Sequence, residues 1–434
     1  MNLNIPSTQS PRLIIIGGGF GGLSIVRSLR HQEIQIVLID KNNYHTFQPL
    51  LYQVATAGLE PDSIAFPLRK IFKHYPNLIF RMAEVLEINS EKNELKTSIG
   101  NINYDFLVIA TGSKTNFFGM ESFSKNAMPM KSIPEALNLR SLLLQNFEKA
   151  LLTSEINARE ALMNIVVVGG GPTGVETAGA LGELKRHILP KDYPELDLRR
   201  MNIHLVEAAP KLLGVMSENS SEKSLHFLKQ LGVNVWLNTS VKDYDGSILK
   251  TSNEKEIITN TVIWSAGVAG AIIQGLKENS VLKGNRFKVD LFNRIEGYEN
   301  IFAIGDVAGM ISNDFPKGHP MVAPVAIQQG QNFGQNLVRT IHKEKMLPFK
   351  YMDKGSMATV GRNRAVVDLG SVKFSGWFAW LTWLGLHLIM LVGFRNKLVV
   401  LINWFWNYLS YDRGIRLIIR PFKKPDLKNF KKTD

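Results

Sequence analysis

The chain has 434 residues, of which 45% are hydrophobic and 21% are charged, the proportions of a globular protein with two or three domains. It contains no cysteine, which excludes a disulfide framework, a CxxC redox pair, thiolate-bound iron–sulfur clusters and a cysteine nucleophile. The net charge is +13, and residues 371–434 contribute +8 of it, with 11 Lys and Arg against 3 Asp. These basic residues border apolar, aromatic stretches, which favours an anionic lipid surface over nucleic acid as their partner.

The N-terminal twelve residues, MNLNIPSTQSPR, are polar and contain no apolar h-region, which argues against a secretory signal. We therefore expect the body of the protein in the cytoplasm. Because the chain has no thiol, any redox chemistry would depend on a bound organic cofactor.

A dinucleotide-binding fingerprint follows almost at once. The apolar strand in RLIIIGGGFGGLSIVRSLR turns at Gly17, Gly19 and Gly22 into a helical pattern, and a second strand, IQIVLID, ends at Asp40. This is the full unit: a strand, a glycine turn, a helix N-terminus aimed at a pyrophosphate, and an acid for the ribose hydroxyls. A structural glycine turn, the alternative, would not require strands on both sides and an acid at this distance.

The same pattern recurs in NIVVVGGGPTGVETAGAL, at Gly169, Gly171 and Gly174, and the next strand, NIHLVEAAP, ends at Glu207. Two such units in one chain predict two bound dinucleotides. Glu207 would bind both ribose hydroxyls of NADH and repel the additional phosphate of NADPH, so we expect a preference for NADH.

Two further strands end in glycine turns. The strand in YDFLVIATGSK is followed by a turn at residues 110–112, and the strand in NIFAIGDVAG is followed by a turn at residues 305–306. With the paired fingerprints, they resemble the two-dinucleotide-binding flavoproteins, in which the first fingerprint holds FAD and the second, in an inserted domain, holds NAD(P)H. VIWSAGV resembles the strand that ends the inserted domain. The resemblance implies an α/β, glutathione-reductase-like fold with two Rossmann-like domains and C-terminal amphipathic membrane-attachment helices. The expected boundaries are 1–115 and 290–350 for the FAD-binding domain, 116–289 for the NADH-binding domain, and 351–434 for the membrane-associating region.

A flavin in a chain without cysteine cannot pass electrons to a thiol, so quinone, an iron–sulfur protein, oxygen or a small substrate remain as acceptors. The segments DKNNYHTFQPLLYQVATAGLEP, GGGPTGVE and GHPMVAPVAIQQG resemble type II NADH dehydrogenases, the single-subunit, non-pumping NADH:quinone oxidoreductases. So does the tail GWFAWLTWLGLHLIMLVGFRNKLVVLINWFWNYLSYDRGIRLI, and the resemblance runs from Leu13 to about Ile419. It implies electron transfer from NADH through FAD to a membrane quinone, which feeds a respiratory chain without proton pumping.

The resemblance also assigns residues to each ligand, and no metal site is expected. Non-covalent FAD would contact Gly17, Gly19, Phe20, Gly21, Gly22, Asp40, Lys41, Thr46, Phe47, Gln48, Val85, Ala110, Thr111, Gly112, Gly305, Asp306 and Ala326. Thr46, Phe47 and Gln48 would shape the pocket of the isoalloxazine ring. NADH would contact Gly169, Gly171, Pro172, Thr173, Gly174, Glu207, Ala266 and Gly267.

Glu176 follows the last glycine of the second fingerprint by two residues, and two interpretations are open. An acid in the first turn of a helix offsets the macrodipole by about 0.3–1 kcal/mol, which would be a purely structural role. That turn already faces an anionic pyrophosphate, however, which is an awkward place for a carboxylate. In the family the matching glutamate lies at the nicotinamide and flavin, so the resemblance implies catalysis: Glu176 would orient the nicotinamide amide and relay protons.

The quinone-site motif of the family, A-Q-x-A-x-Q, corresponds to APVAIQQ at residues 323–329. Gln328 keeps the second glutamine, whereas Pro324 replaces the first. We expect Gln328 and Gln329 to contact quinone, because an amide NH₂ can donate to a quinone carbonyl. The alternative is a structural glutamine pair at the start of a helix.

Five of the seven Trp lie between Trp377 and Trp406, in two apolar stretches at 376–394 and 398–411 that two basic residues separate. A transmembrane helix concentrates Trp at its two ends, whereas here the rings are spread along the segment. We therefore expect the 375–420 region to lie in the membrane interface. A transmembrane span and a buried core or dimer helix are the alternatives.

The predicted protein is a peripheral, monotopic enzyme on the cytoplasmic side of the cell membrane, with membrane quinone as its acceptor and no nucleic-acid partner. Family members often pair, so the resemblance is compatible with a homodimer. Two rival functions are a soluble NAD(P)H-dependent reductase of the ferredoxin or rubredoxin type, and a flavoprotein redox sensor with slow turnover.

Overall fold

The computed structural model describes residues 3–410 and 415–423, so Tyr411, Arg413 and most of the basic C-terminal end lie outside the described residues. Its strands are β1 Arg12–Ile16, β2 Gln35–Asp40, β3 Tyr44–Thr46, β4 Ala65–Pro67, β5 Leu78–Met82, β6 Val85–Asn89, β7 Glu94–Thr97, β8 Gly100–Asn103, β9 Phe106–Ile109, β10 Ser113–Thr115, β11 Met128–Pro129, β12 Ile165–Val168, β13 Ile203–Val206, β14 Val233–Trp236, β15 Val241–Tyr244, β16 Ile248–Thr251, β17 Glu256–Ile258, β18 Thr261–Trp264, β19 Val268–Gly270, β20 Val281–Leu282, β21 Arg286–Val289, β22 Ile301–Ala303, β23 Ala308–Met310, β24 Ser356–Thr359, β25 Ala365–Leu369 and β26 Val372–Ser375.

Its α-helices are α1 Phe20–Ser28, α2 Leu51–Ala55, α3 Pro61–Ile64, α4 Leu68–Ile71, α5 Glu121–Asn126, α6 Ile133–Leu152, α7 Ile156–Met163, α8 Pro172–Glu183, α9 Leu189–Asp192, α10 Glu218–Gln230, α11 Ala323–Ile341, α12 Trp377–Met390 and α13 Phe394–Ser410. The chain forms two compact units, each made of three segments. The first unit contains Met1–Thr46, Ala65–Lys114 and Val268–Lys354, and the second contains Phe47–Ile64, Thr115–Gly267 and Gly355–Asp434. The units are defined by packing, so the ligand-domain boundaries predicted from the sequence stay predictions.

The first unit is built on a five-stranded parallel sheet with the order β22-β9-β1-β2-β5. These strands are nearly continuous runs of buried Val, Ile and Leu, because a parallel sheet is covered on both faces. Helix α1 follows β1 and packs closely on α11. A Cβ on Gly330 of α11 would stand 2.7 Å from the carbonyl oxygen of Gly21, so glycine is what allows the two helices to approach.

The second unit contains another five-stranded parallel sheet, with the order β11-β18-β12-β13-β14. Helix α8 follows its strand β12 as α1 follows β1 in the first unit. The predicted α/β class with two Rossmann-like sheets is therefore confirmed. An antiparallel sheet of β24, β25 and β26 belongs to the second unit, and its strand β24 packs on α8.

The two C-terminal helices dock onto the segment Phe47–Ile64, within the second unit. Trp404 of α13 donates its indole N–H to the side-chain oxygen of Gln53 at 2.9 Å. The buried amide of Asn396 donates to the carbonyl oxygen of Asp62, also at 2.9 Å. Polar groups on α13 thus satisfy one side-chain and one backbone acceptor of the segment Phe47–Ile64, which includes the predicted flavin-pocket residues Phe47 and Gln48.

The helices differ in one respect from the predicted stretches. Helix α12 ends at Met390 and α13 begins at Phe394, with Gly393 at a φ of +85° between them. Arg395 and Lys397 therefore lie inside the first turn of α13 and do not separate the stretches, because a left-handed glycine makes the break. Among the described residues, no helix combines the length and the apolar character that a membrane crossing requires.

We predict that Gly179→Ala destabilises the protein by about 1–3 kcal/mol, because a Cβ there would stand 2.7 Å from the carbonyl oxygen of Val360 and force β24 away from α8. The matched control is Gly385→Ala in α12, where no described atom lies within 4 Å of the added Cβ. The control should be neutral or gain up to about 1 kcal/mol of helix propensity. Urea unfolding of the two holoenzyme variants measures both effects, and equal stabilities would contradict the packing argument.

Candidate functional site

The first glycine turn, in the first unit, forms an open cradle at the start of α1. Gly17 has a φ of +109°, and its N–H donates to the carbonyl oxygen of Ile39 at 2.8 Å. A Cβ on Gly22 would stand 2.0 Å from the carbonyl oxygen of Gly17, so only glycine lets the helix begin this close to the strand. At Gly19 no described atom lies within 4 Å of a Cβ position, and no described side chain caps the helix. This open helix N-terminus fits the pyrophosphate of a dinucleotide.

Asp40, at the end of β2, is held by this turn. Its Oδ2 atom accepts a hydrogen bond from the Gly18 N–H at 2.7 Å, and its Oδ1 atom accepts one from the Asn42 N–H at 2.7 Å. Burial raises the pKa of Asp40, while the two backbone hydrogen bonds and the nearby Lys41 counteract the rise. Each carboxylate oxygen keeps a further lone pair, so Asp40 can still accept hydrogen bonds from ribose hydroxyls.

The turn after β9 packs against the first glycine turn. A Cβ on Gly17 would stand 2.3 Å from the carbonyl oxygen of Ala110. The hydroxyl of Thr111 donates to the carbonyl oxygen of Ala271 at 2.7 Å, which gives this predicted FAD residue a structural contact of its own. Gly112 has a φ of +70° and an open Cβ side, so a ligand can approach its backbone.

The glycine–aspartate turn after β22 belongs to the same unit. The Gly305 N–H donates to the side-chain oxygen of Gln329 at 2.7 Å, and Ser113 donates its hydroxyl to Asp306 at 2.5 Å. A Cβ on Gly305 would stand 3.1 Å from the Cβ of Ala326. Ser113 is not among the residues predicted from the sequence, and its signal there is a hydroxyl one residue beyond the predicted ATG turn.

Three other predicted FAD residues of the first unit occupy the ends of secondary-structure elements, and a fourth lies in a loop. Phe20 begins α1, Thr46 ends β3 and Val85 begins β6. Lys41 follows Asp40 directly and is exposed. The contacts described above join the fingerprint turn, the ATG turn and the glycine–aspartate turn into one cluster, whereas Val85 lies in the separate β6–β7–β8 sheet.

The second unit repeats the cradle at the start of α8. Gly169 has a φ of +108°, and its N–H donates to the carbonyl oxygen of Val206 at 2.9 Å. A Cβ on Gly174 would stand 1.8 Å from the carbonyl oxygen of Gly169. Gly171 is open on its Cβ side among the described atoms, and Pro172 begins the helix, where the missing N–H has no intrahelical acceptor to lose. The turn fits a second pyrophosphate.

Glu207 occupies in the second unit the place that aspartate occupies in the first. Its Oε2 atom accepts from the Gly170 N–H at 2.5 Å, and its Oε1 atom accepts from the Ala209 N–H at 2.7 Å. A Cβ on the first glycine of this fingerprint would stand 2.6 Å from the Cα of Ala266, and Gly267 follows directly. The predicted NADH residues of the second unit thus surround one turn.

Phe47 and Gln48, the predicted flavin-pocket residues of the second unit, have different surroundings. Phe47 is 1% exposed, and its ring meets that of His387 edge-on with centroids 6.0 Å apart. Its ring is enclosed by protein, and its contact with a flavin stays a prediction. Gln48 is exposed and lines a cavity beside Glu176.

Glu176 lies in α8 and lines two cavities, both within the second unit. The first, here called the polar cavity, is also lined by Gln48, Lys131 and Thr173. The second, here called the aromatic cavity, has an empty volume of about 800 Å³ including its open mouth. Its walls include Tyr52, Arg362, Trp380, Trp383, Trp404 and Tyr408. Thr173 belongs to the first turn of the fingerprint helix, so the polar cavity lies beside the fingerprint. Glu176 lines this cavity and also the aromatic cavity, whose walls include residues of the C-terminal helices.

The electrostatics of Glu176 are dominated by its removal from water. Burial raises the pKa of Glu176 to about 8, while the Thr359 N–H, at 3.4 Å, and the indole N–H of Trp383 lower it. At neutral pH the carboxyl group is therefore mostly protonated and can donate as well as accept a hydrogen bond. The helix-dipole interpretation, which needs a carboxylate, does not describe this environment.

The predicted quinone contacts, Gln328 and Gln329, are engaged elsewhere in the first unit. The amide of Gln328 donates to the carbonyl oxygen of Met352 at 3.0 Å and accepts from the Met352 N–H at 2.9 Å. Gln329 is 1% exposed, and its side-chain oxygen accepts from Gly305. Both side chains thus have intramolecular partners, while the Nε2 atom of Gln329 has no hydrogen-bond partner among the described residues. Quinone contact by either glutamine stays a prediction.

The sequence and the fold match known oxidoreductases. The pyridine nucleotide-disulphide oxidoreductase family matches residues 11–330, and the NDH2 C-terminal domain matches residues 354–411. The protein is therefore an oxidoreductase of the two-dinucleotide class, and the predicted FAD and NADH cofactors agree with this membership.

Among its relatives, the type II NADH:quinone oxidoreductase Ndh of Mycobacterium tuberculosis is 36% identical over 427 residues, which are 94% of this chain and 91% of that protein. The Staphylococcus aureus type II NADH:quinone oxidoreductase is 29% identical, over 82% of this chain and 89% of that protein. The chain belongs to the type II NADH:quinone oxidoreductase family, as its sequence indicated. The fold is that of Plasmodium falciparum NDH2, solved in complex with NADH, with a TM-score of 0.85 and 22% identity over 95% of this chain and all of that one.

We predict that Glu176→Gln stabilises the protein increasingly as the pH rises. The folded-state pKa of about 8 lies above the ordinary value of 4.5, so in the wild type the contribution of this carboxyl is fully present below about pH 4.5 and is lost as the pH rises through 8. The difference in unfolding free energy between Glu176→Gln and wild type should grow by about 2–4 kcal/mol between pH 5 and pH 8.

Urea unfolding of the holoenzyme across this pH range measures the difference, with Glu222→Gln, an exposed position of α10, as the matched substitution. A constant difference between Glu176→Gln and wild type would show that the carboxyl of Glu176 is already ionised in the folded state.

Proposed function

We propose that this chain is a membrane-associated FAD enzyme that transfers electrons from NADH to a membrane quinone without pumping protons. The observation that carries the proposal is the buried Glu176, which lines both the polar cavity and the aromatic cavity. Family membership supplies the activity class, and the names of the relatives supply NADH and quinone as the substrates.

FAD would bind along the first glycine turn, with Asp40 accepting from its ribose hydroxyls and the Gly305–Asp306 turn meeting its ribityl–phosphate portion. When bound, this cofactor accepts a hydride from NADH and passes the two electrons to quinone. The support in this chain is steric: the open Cβ sides of Gly19 and Gly112 leave the backbone accessible to a phosphate.

NADH would bind along the second turn, with its pyrophosphate at the N-terminus of α8 and its ribose diol at Glu207. The carboxylate of Glu207 disfavours the additional phosphate of NADPH at the same place. Thr173 supports this placement because it lies in the first turn of α8 and lines the polar cavity. The nicotinamide end would then extend toward Glu176.

The aromatic cavity is the proposed chamber for the quinone ring. Flat quinone rings pack well on Trp and Tyr side chains, and Trp380, Trp383 and Trp404 all line this chamber. Reduction of a quinone to quinol takes two electrons and two protons, of which the hydride supplies both electrons and one proton. Glu176, protonated at neutral pH, would donate the other proton to a quinone oxygen and recover it from water.

The C-terminal helices would rest on the cytoplasmic face of the membrane. Phe378, Ile389, Phe394, Phe405 and Leu409 are between 62% and 82% exposed, an unusually large amount of uncovered apolar surface for two neighbouring helices. The opposite face buries Ala379 and Trp383 of α12 and Val400 of α13. Arg395 and Lys397 would meet lipid headgroups while the rings sink below them. Pairing of two chains stays a prediction from the family resemblance.

The test of the proposed function is anaerobic reduction of the purified holoenzyme by NADH, followed by reoxidation with a series of quinones. We expect rapid reoxidation by quinone, and Glu176→Gln should lower quinone turnover about 100-fold because it removes the proton donor. Its turnover with ferricyanide, which takes electrons without protons, should fall much less. A wild-type enzyme that NADH reduces and quinone does not reoxidise would overturn the proposal.

Membrane docking is tested by Phe405→Ser combined with Leu409→Ser. We expect binding to anionic lipid vesicles to weaken about 100-fold or more, because each of the two apolar side chains would contribute about 1.5–3 kcal/mol on entering lipid. The control is Leu152→Ser, an 89% exposed leucine at the end of α6. Vesicle sedimentation measures the binding, and unchanged binding of the double variant would mean that another surface docks. Substitutions are preferred to truncation here, because removing the tail would also remove the walls of the aromatic cavity.

A further inference from the structure

Tyr52, in α2, borders the site in the same way as the catalytic candidate Glu176. These two are the described residues that line both the polar cavity and the aromatic cavity. Tyr52 is buried, and its ring meets the indole of Trp383 with centroids 6.5 Å apart and an interplanar angle of 60°. Tyr52 and its neighbour Gln53 are not among the residues predicted from the sequence. A buried phenol thus borders the proposed quinone chamber, and the proposed function gives it no role.

Two hydrogen bonds fix the orientation of the Gln53 side chain, which also lines the aromatic cavity. The indole N–H of Trp404 can only donate, so the atom of Gln53 that faces it at 2.9 Å must be the amide oxygen. The amide NH₂ therefore faces the Tyr52 hydroxyl, at 3.0 Å, and donates to its oxygen. Since this contact uses the oxygen, the hydroxyl hydrogen must be donated to an acceptor other than Gln53. A hydroxyl that accepts one hydrogen bond also becomes a stronger donor.

Two other donors in the wall of the aromatic cavity are used within the protein. The side-chain amide of Asn407 donates to the carbonyl oxygen of Gly58 at 3.4 Å. The guanidinium of Arg362 donates to the carbonyl oxygen of Tyr408 and lies 4.0 Å from the centroid of that ring. The phenol of Tyr52 differs from both, because its contact with Gln53 turns its hydrogen away from this partner.

We infer that the Tyr52 hydroxyl donates a hydrogen bond to a carbonyl oxygen of the quinone in the aromatic cavity, and that Gln53, held by Trp404, is the positioning residue that orients this hydroxyl. The inference rests on the proposed function and deepens it, because it adds a second polar contact to the one that Glu176 makes. Negative charge builds up on the quinone oxygens as electrons arrive, and a donor that is already oriented stabilises this charge.

The first test is Tyr52→Phe, which keeps the ring and removes the hydroxyl. We expect kcat/KM for quinone to fall about 10- to 100-fold, while turnover with ferricyanide, which has no carbonyl oxygen, stays unchanged. The ratio of wild type to variant should rise along a series of quinones with increasingly basic carbonyl oxygens, because a more basic acceptor makes a stronger hydrogen bond. An equal loss with every quinone would mean that Tyr52 only shapes the cavity, and would overturn the inference.

The matched control is Tyr193→Phe in the same unit. It removes a hydroxyl that donates to Glu148 at 3.0 Å, and Tyr193 lines neither cavity. Quinone turnover of this variant should equal that of wild type with every quinone of the series. A loss as large as that of Tyr52→Phe would show that removal of any buried hydroxyl slows the enzyme, and would count against the inference.

The second test is Gln53→Glu, which reverses the polarity of the contact. A carboxylate at this half-buried position can still accept from the Trp404 indole, but it accepts from Tyr52 instead of donating to it. It should therefore slow quinone turnover although the hydroxyl is present, also in the case that Tyr52→Phe does not fold. In the Tyr52→Phe background, Gln53→Glu should cause no further loss, because both changes act through one hydrogen. Additive losses would overturn the positioning role.

An infrared measurement separates this inference from the proposed function. Quinone with ¹³C-labelled carbonyl groups is bound to the oxidised holoenzyme, and its C=O band should move to higher frequency in Tyr52→Phe and stay in place in Tyr193→Phe. If the band moves but the wild type passes no electrons to quinone, the proposed function fails and the contact stands. If the wild type reduces quinone and the band is the same in Tyr52→Phe, the contact fails and the proposed function stands.

Discussion

The burial of one carboxyl group is the constraint on which the site depends. Removing the Glu176 carboxyl group from water strongly disfavours its charged form, and helix α8 alone could not exclude water from it. The enclosure comes from residues about two hundred positions later in the chain, where Thr359 and Trp383 lie against it. The C-terminal region therefore helps to enclose this carboxyl group. A carboxyl group that is neutral at physiological pH can act as a donor, which an exposed glutamate in the first turns of a helix could not do.

The same steric constraint applies to both glycine turns. In each, a Cβ on the last glycine would collide with the carbonyl oxygen of the first, at 2.0 Å for Gly22 and 1.8 Å for Gly174. In each, the carboxylate at the end of the next strand accepts hydrogen bonds from the middle glycine of the turn and from the residue two positions beyond itself. The acid is Asp40 in one unit and Glu207 in the other. The chain thus holds two anion-binding helix N-termini of the same construction.

These local features could be predicted from the sequence because glycine spacing and strand patterns act over a few residues. Contacts between residues far apart in the sequence could not be predicted in this way. Spacing alone gave Glu176 two interpretations, since its burial depends on distant residues. The partners of the glutamine pair are distant as well: Gln328 bonds to the backbone of Met352, and Gln329 accepts from the turn at Gly305. Neither partner can be recognised from a motif of seven residues.

The tryptophan-rich tail has two faces that its composition alone does not separate. Helix α12 is apolar all around, a pattern expected of a helix that is covered on every side. The structure covers only part of it: Trp383 and Ala379 face the second unit, whereas Phe378 and Ile389 remain exposed. Lipid is the cover that we propose for the exposed part, and the inner part forms a wall of the aromatic cavity. Since a helix of fourteen residues is rigid on the scale of one side chain, a membrane that positions the outer face also positions the indole beside Glu176.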